Sequence, residues 1–84
     1  MSNLIGHKVI GTKQTLRALK SGEVKAVYIA RDAEERIVSD VQKAAKESNV
    51  QMVFVPTMEE LGKAFGIEVG AATAALLKVT DEDL

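Results

Sequence analysis

The chain contains no cysteine. That excludes a disulfide framework, a thiol nucleophile and a thiolate zinc site, and it fits a reducing compartment. Histidine occurs once, as His7, with no second ligand or base at a recognisable spacing, so a surface or packing role is read over catalysis or metal binding. Proline also occurs once, as Pro56, in a chain that is 46% hydrophobic, which excludes a disordered or proline-rich segment. No apolar run approaches the ~18 residues that span a bilayer, and the first residues lack the apolar core of a signal peptide. A cytoplasmic protein without a membrane contact is expected. Internal repeats, linkers and low-complexity stretches are absent too, and 84 residues make one domain, 1–84, burying about 60% of its unfolded surface. The phosphate-loop spacings G-x-x-x-x-G-K-[ST] and G-x-G-x-x-G do not occur. Neither a nucleophile–base pair nor a converging acidic cluster can be placed, so no catalytic residue, metal ligand or cofactor is assigned.

Charge is scarce only as a total. The net value is −1, yet residues 1–31 carry six Lys/Arg and the single acid Glu23, while residues 32–84 carry five Lys/Arg and eleven acids. Such segregation presents a basic face on an acidic body.

The basic part centres on residues 9–22, VIGTKQTLRALKSG. It reads as a strand end at Val9-Ile10, a turn at Gly11-Thr12 and an amphipathic helix, with Thr12 as N-cap and Gly22 as left-handed C′ residue. At about 100° per residue, Leu16 and Leu19 fall on one side and Lys13, Arg17 and Lys20 on the other. Lys13 lies in the first turn, where the helix dipole disfavours a cation by roughly 0.3–1 kcal/mol. Free amides beside Lys13 and Gln14 suit an anionic ligand such as RNA. A solvated charged face is the plainer reading of the same residues, and spacing alone leaves both open.

Further along, Val24–Ala30 is rich in β-branched and aromatic residues and its Ala26–Ala30 core is apolar on both parities, the pattern of a strand covered on both faces. Within it Tyr28 is placed in the core rather than as a stacking surface. Asp32 and Glu35 read as a capping pair opening a helix with Ile37, Val41 and Ala44 inward, widened by Val38 and Ala45, and closed at Asn49. Met52–Val55 reads as a buried strand halted by Pro56. Thr57-Met58-Glu59-Glu60 is a second capping box before a helix with Leu61, Ala64 and Phe65 inward and Gly66 as its end. Ile67-Glu68-Val69-Gly70 is then a glycine-bounded loop whose branched side chains either fold back on the core or form an apolar platform for a splayed base. The alanine-rich run Ala71–Val79 favours helix by propensity and strand by position. Strand completes a β-α-β-α-β-α-β alternation with helices on both faces of one sheet, and is preferred. Gly70 is read as the start of that strand, and residues 80–84 as a frayed tail. The connections at Gly11, Arg31 and Gly66–Gly70 are expected at one end of the sheet.

Two stretches carry a family resemblance. I-G-T-K-Q-T-L-R-A-L at 10–19 and L-G-K-A-F-G-I-E-V-G-A-A at 61–72, in this order, resemble the ribosomal protein L-seven-Ae family of kink-turn RNA binders, most closely its compact bacterial members. The resemblance implies an α/β fold, a three-layer α/β/α sandwich with a mixed four-stranded sheet. It also implies a non-catalytic, ribosomal or ribosome-associated protein, expected as a monomer, whose partner is structured RNA: a kink-turn, with ribosomal RNA as one candidate. In the family a helix start G-x-N-E-x-x-K docks on sheared G·A pairs. Here Gly11 matches the glycine, Lys13 stands for the asparagine, Gln14 for the glutamate and Arg17 for the lysine. The RNA-binding set implied is Gly11, Thr12, Lys13, Gln14, Arg17 and Lys20, with Ile67, Glu68, Val69 and Gly70 against an extruded base. Where some relatives carry a basic residue early in the preceding helix, this chain has Met58 or Glu59, and no contact is carried over. A scaffold domain of this fold that does not bind RNA directly, and a small enzyme or ligand sensor using the Gly11–Gln14 turn, are the alternatives.

Overall fold

The computed structural model describes residues 7–78; the readings of Val79 as strand and of 80–84 as a tail lie outside them. Seven elements alternate along the chain: β1 (Lys8–Ile10), α1 (Thr12–Lys20), β2 (Val24–Ala30), α2 (Glu35–Glu47), β3 (Gln51–Val55), α3 (Met58–Ala64) and β4 (Thr73–Leu77). The strands form one four-stranded sheet in the order β1-β4-β2-β3. β2 and β3 run parallel, joined by α2, whereas β4 is antiparallel to both β1 and β2. The sheet is mixed, as expected.

Period-two alternation divides the core between two faces. Val27, Ile29 and Ala75 point to one side, where they pack with Ala18 and Leu19 of α1 and Val38, Val41 and Ala45 of α2. Ala30 and Ala74 point to the other, against Leu61 and Phe65 around α3. Two helices on one face and one on the other make the three-layer sandwich. Tyr28 is half-buried on the α3 side, its ring edge-on to Phe65 at 5.2 Å between centroids. Its role is packing.

β4 is strand despite its alanines because it lies between β1 and β2 with helices approaching from both sides. Ala74 and Ala75 are fully buried there, where small side chains let both layers close on the sheet. Tertiary context thus overrides helix propensity.

Several local expectations are corrected. The inward stripe of α2 is Val38, Val41 and Ala45, while Ile37 is exposed and Ala44 is only half-buried. Val38, Val41 and Ala45 of the expected stripe are buried; the way α2 lies on β2 and α1 leaves its Ile37 and Ala44 edge towards solvent. β3 is not a buried strand: it is the sheet edge, half-open along its length, with Phe54 exposed. Ala64 is exposed rather than inward, because α3 turns Leu61 and Phe65 to the sheet and Gly62 to the loop that follows. Gly70 does not begin β4, which starts at Thr73; the intervening residues belong to the loop.

Capping is redistributed in the same way. Glu34, not Asp32, occupies the N-cap of α2, and no side chain bonds there. Asp32 instead accepts the Met58 backbone N–H through Oδ1 at 2.8 Å, so it caps α3. Thr57 Oγ1 accepts the Glu60 N–H at 3.0 Å, as the capping motif predicts. At the other end of α3, Lys8 Nζ donates to the Phe65 carbonyl at 2.7 Å, a cation placed at the negative end of the dipole.

Candidate nucleic-acid interface

The start of α1 is assembled by backbone rather than by side-chain caps. Gly11 holds the N-cap position with φ 104°, ψ 153°, a region that side-chain-bearing residues avoid. Thr12 does not cap, contrary to the sequence reading. It is the first helical residue, and its hydroxyl lies 3.2 Å from that of Thr73. Among the described residues no side chain bonds the helix start, and the first turn contains no acid. The first intrahelical bond is Thr15 N–H to Gly11 carbonyl at 2.9 Å. The amides of Thr12, Lys13 and Gln14 therefore lie ahead of the ladder, at the positive end of the dipole. Lys13 and Gln14 are exposed beside them, and Arg17 is exposed one turn further on. Lys20 is exposed as well, but it is the last residue of α1, about 10 Å along the axis from Lys13 at 1.5 Å per residue.

The second half of the surface is the loop before β4. Gly66, at φ 84°, ends α3 and turns the chain back, so that Ile67 N–H bonds the Gly62 carbonyl at 3.0 Å. Ala71 N–H bonds the Met58 carbonyl at 3.1 Å, and Gly70 packs on the Met58 side chain. Pinned at both ends over α3, the loop divides its two branched residues. Ile67 folds onto the core formed by Ala30, Leu61 and Phe65. Val69 points outward, 70% exposed, with Glu68 and Gly70 exposed on either side. The apolar platform expected of both residues is therefore presented mainly by Val69.

Thr73 joins the halves. Its carbonyl accepts the Gly11 N–H at 2.9 Å while its hydroxyl meets Thr12, so the loop runs into β4 beside the start of α1. Ala30 N–H bonds the Ala72 carbonyl at 2.9 Å, which places the Arg31 turn at the same end of the sheet. Gly11, Thr12, Lys13, Gln14, Ile67, Glu68, Val69 and Gly70 share that end, with Arg17 one helical turn away. Lys20 is not brought to it. Two residues that position this end were not singled out in the sequence: Thr73 and Lys8. The visible sign of Thr73 was a polar residue inside an alanine-rich strand, where it is fully buried.

Residues 5–84 match the Ribosomal protein L7Ae/L30e/S12e/Gadd45 family. The chain belongs to this family. It is 54% identical over 70 residues to an RNA-binding protein of Halalkalibacterium halodurans, covering 83% of this chain and 85% of that one. It is 39% identical over 74 residues to the large ribosomal subunit protein eL8 of Halobacterium salinarum, covering 87% and 62%. Among solved structures, a 15.5kD RNA binding protein of Giardia lamblia superposes with a TM-score of 0.82 at 27% identity, covering 92% of this chain and 64% of that one. The resemblance read from the two sequence stretches is therefore shown, and the relatives it leads to are named as RNA-binding and ribosomal proteins. Among the described residues no group of three or more His, Asp or Glu side chains is placed to hold a metal ion, and no helix is long and apolar enough to cross a membrane.

Proposed function

We propose that this protein is a non-catalytic RNA-binding module that recognises and stabilises a kinked RNA, acting as a monomer in the cytoplasm on or near the ribosome. One observation carries the reading: the α1 start, uncapped by any side chain and lined by Lys13 and Gln14, is tied through Thr73 to a loop that displays Val69. Lys13, Gln14 and Arg17 supply donors, and Gln14 an amide acceptor, for the edges of sheared G·A pairs and nearby phosphates. Gly11 leaves open space where a side chain would begin, so RNA backbone can approach closely. Val69, flanked by Glu68 and Gly70, covers the face of a displaced base, with Ile67 supporting the loop from below. Thr12, engaged with Thr73, positions the helix rather than offering its hydroxyl. Lys20, remote from the loop, adds to the field.

Binding shifts the RNA toward the bent state by as much as its affinities for bent and extended forms differ. The test is a titration of a kink-turn against the same RNA with Watson–Crick pairs replacing the G·A pairs. Strong preference for the first is expected, and equal binding overturns the reading.

A further inference from the structure

A second surface lies on the α2 side of the sheet edge. The Val38, Val41 and Ala45 stripe packs α2 over β2, leaving β3 uncovered along its outer side. Phe54 is 41% exposed there, and the Arg31 guanidinium lies over its ring, 5.4 Å from the centroid. A cavity of about 270 Å³ opens beside this pair, between Ile29 and Gln42. A second groove of about 460 Å³ continues from Gln42 and Phe54 to Met52, Lys43 and Lys46. The two share Gln42 and Phe54, so they form one furrow along the edge strand. Three cations line it against one carboxylate, Glu35. Lys43 and Lys46 are three residues apart on α2, hence neighbours on one helix face.

This combination differs from an isolated exposed aromatic. Ile29, Val38, Met52 and Phe54 give it an apolar part, Arg31, Lys43 and Lys46 a cationic one, and Gln42 offers both donor and acceptor midway. Single-stranded nucleic acid is bound by that pairing of stacking surface and positive groove, because every base has a π-face and every linkage a negative charge. We infer that the α2–β3 furrow is a second RNA site, holding a single-stranded segment with a base stacked at Phe54 and Arg31 and phosphates at Lys43 and Lys46. It rests on the RNA-binding reading above but not on a kinked target.

The test uses the whole protein, isotopically labelled, and a single-stranded RNA dodecamer that cannot fold into a kink-turn. Amide shifts are expected at Arg31, Gln42, Lys43, Lys46 and Phe54. Phe54→Ala is expected to weaken dodecamer binding about tenfold, and Phe54→Trp to retain it. Lys43→Gln with Lys46→Gln, a pair of surface changes that leaves the sheet untouched, is expected to lower the salt slope by about 1.4. None of these variants should alter affinity for a minimal kink-turn without single-stranded extensions. Dodecamer shifts confined to Gly11–Arg17 and Val69, or unchanged affinity in the Phe54→Ala and double-lysine variants, overturn the proposal. So do furrow shifts that follow protein concentration or an added acidic peptide instead of RNA, which would make the surface a protein contact. If kink-turn RNA fails to bind while the dodecamer still shifts the furrow, the kinked-RNA reading falls and this one stands.

Discussion

On the proposed reading, Lys13 sets stability against binding within one side chain. It sits in a first turn that contains no acid, where a cation costs the free helix about 0.3–1 kcal/mol. Lys13→Ala should therefore raise the melting temperature by a few degrees while weakening kink-turn binding by about 1–3 kcal/mol and relaxing discrimination for the G·A pairs. Thermal unfolding and RNA titration of one variant check both signs, and a loss of stability together with a loss of binding would point to a structural role instead. Thr15, two residues along, is fully buried with its hydroxyl unpartnered. Thr15→Val keeps the shape and removes the stranded polar group, so a gain of about 1 kcal/mol is expected, visible as a Tm rise of roughly 4–8 °C. Gly62 works by lacking a side chain. A Cβ there would overlap the Val69 carbonyl, so Gly62→Ala should cost about 1–3 kcal/mol and displace the loop. Lower Tm together with weaker RNA binding is the expected pair of results, and unchanged affinity would show that the Val69 position is not needed.

At the scale of elements, what could be read from sequence was whatever depends on neighbours along the chain. Thr57 and Glu60 are three residues apart, and their bond is present. Gly22, Asn49 and Gly66 all take positive φ at the ends of their helices, as expected. Asp32 failed as a local cap because its partner, the Met58 amide, lies 26 residues away. That distance closes only when β2 and β3 pair. The departure of Ile37 and Ala44 from the α2 stripe and the supposed burial of β3 share one cause: neither helix rotation nor strand order is a property of the segment itself. Thr12 shows the same limit at the site, since a threonine before a helical pattern looks like a cap until β4 brings Thr73 beside it. Removing the long-range cap tests the assignment. Asp32→Ala should destabilise the protein by about 1 kcal/mol. It should also speed hydrogen exchange at the first amides of α3 and leave the start of α2 unaffected; faster exchange in α2 would restore the local reading.

Across the whole molecule the decisive feature is where charge of each sign lies relative to the sheet. One end brings together the open α1 start, the Val69 loop and the Arg31 turn, but it also carries Asp32, Glu34, Glu59, Glu60 and Glu68, all exposed. On the proposed reading, Glu59 and Glu60 in the first turn of α3 disfavour RNA over that helix and leave the α1 side as the docking face. Recognition of this proposed kind reads shape while holding few phosphates, so affinity for a kink-turn is expected to depend weakly on salt. Lys20 separates field from contact. It lies at the far end of α1 from Lys13, beyond the reach of the G·A edges but still within about 10 Å, one Debye length at 0.1 M salt. Lys20→Ala should reduce the slope of log affinity against log salt by about 0.7–0.9. It should leave the ratio between the kink-turn and its Watson–Crick-paired counterpart unchanged, whereas Lys13→Ala should reduce that ratio. Titrations at several salt concentrations distinguish the two variants. An equal loss of discrimination in both would mean that α1 acts as a diffuse positive patch, and that the alignment of Gly11, Lys13 and Gln14 with Val69 contributes nothing to recognition.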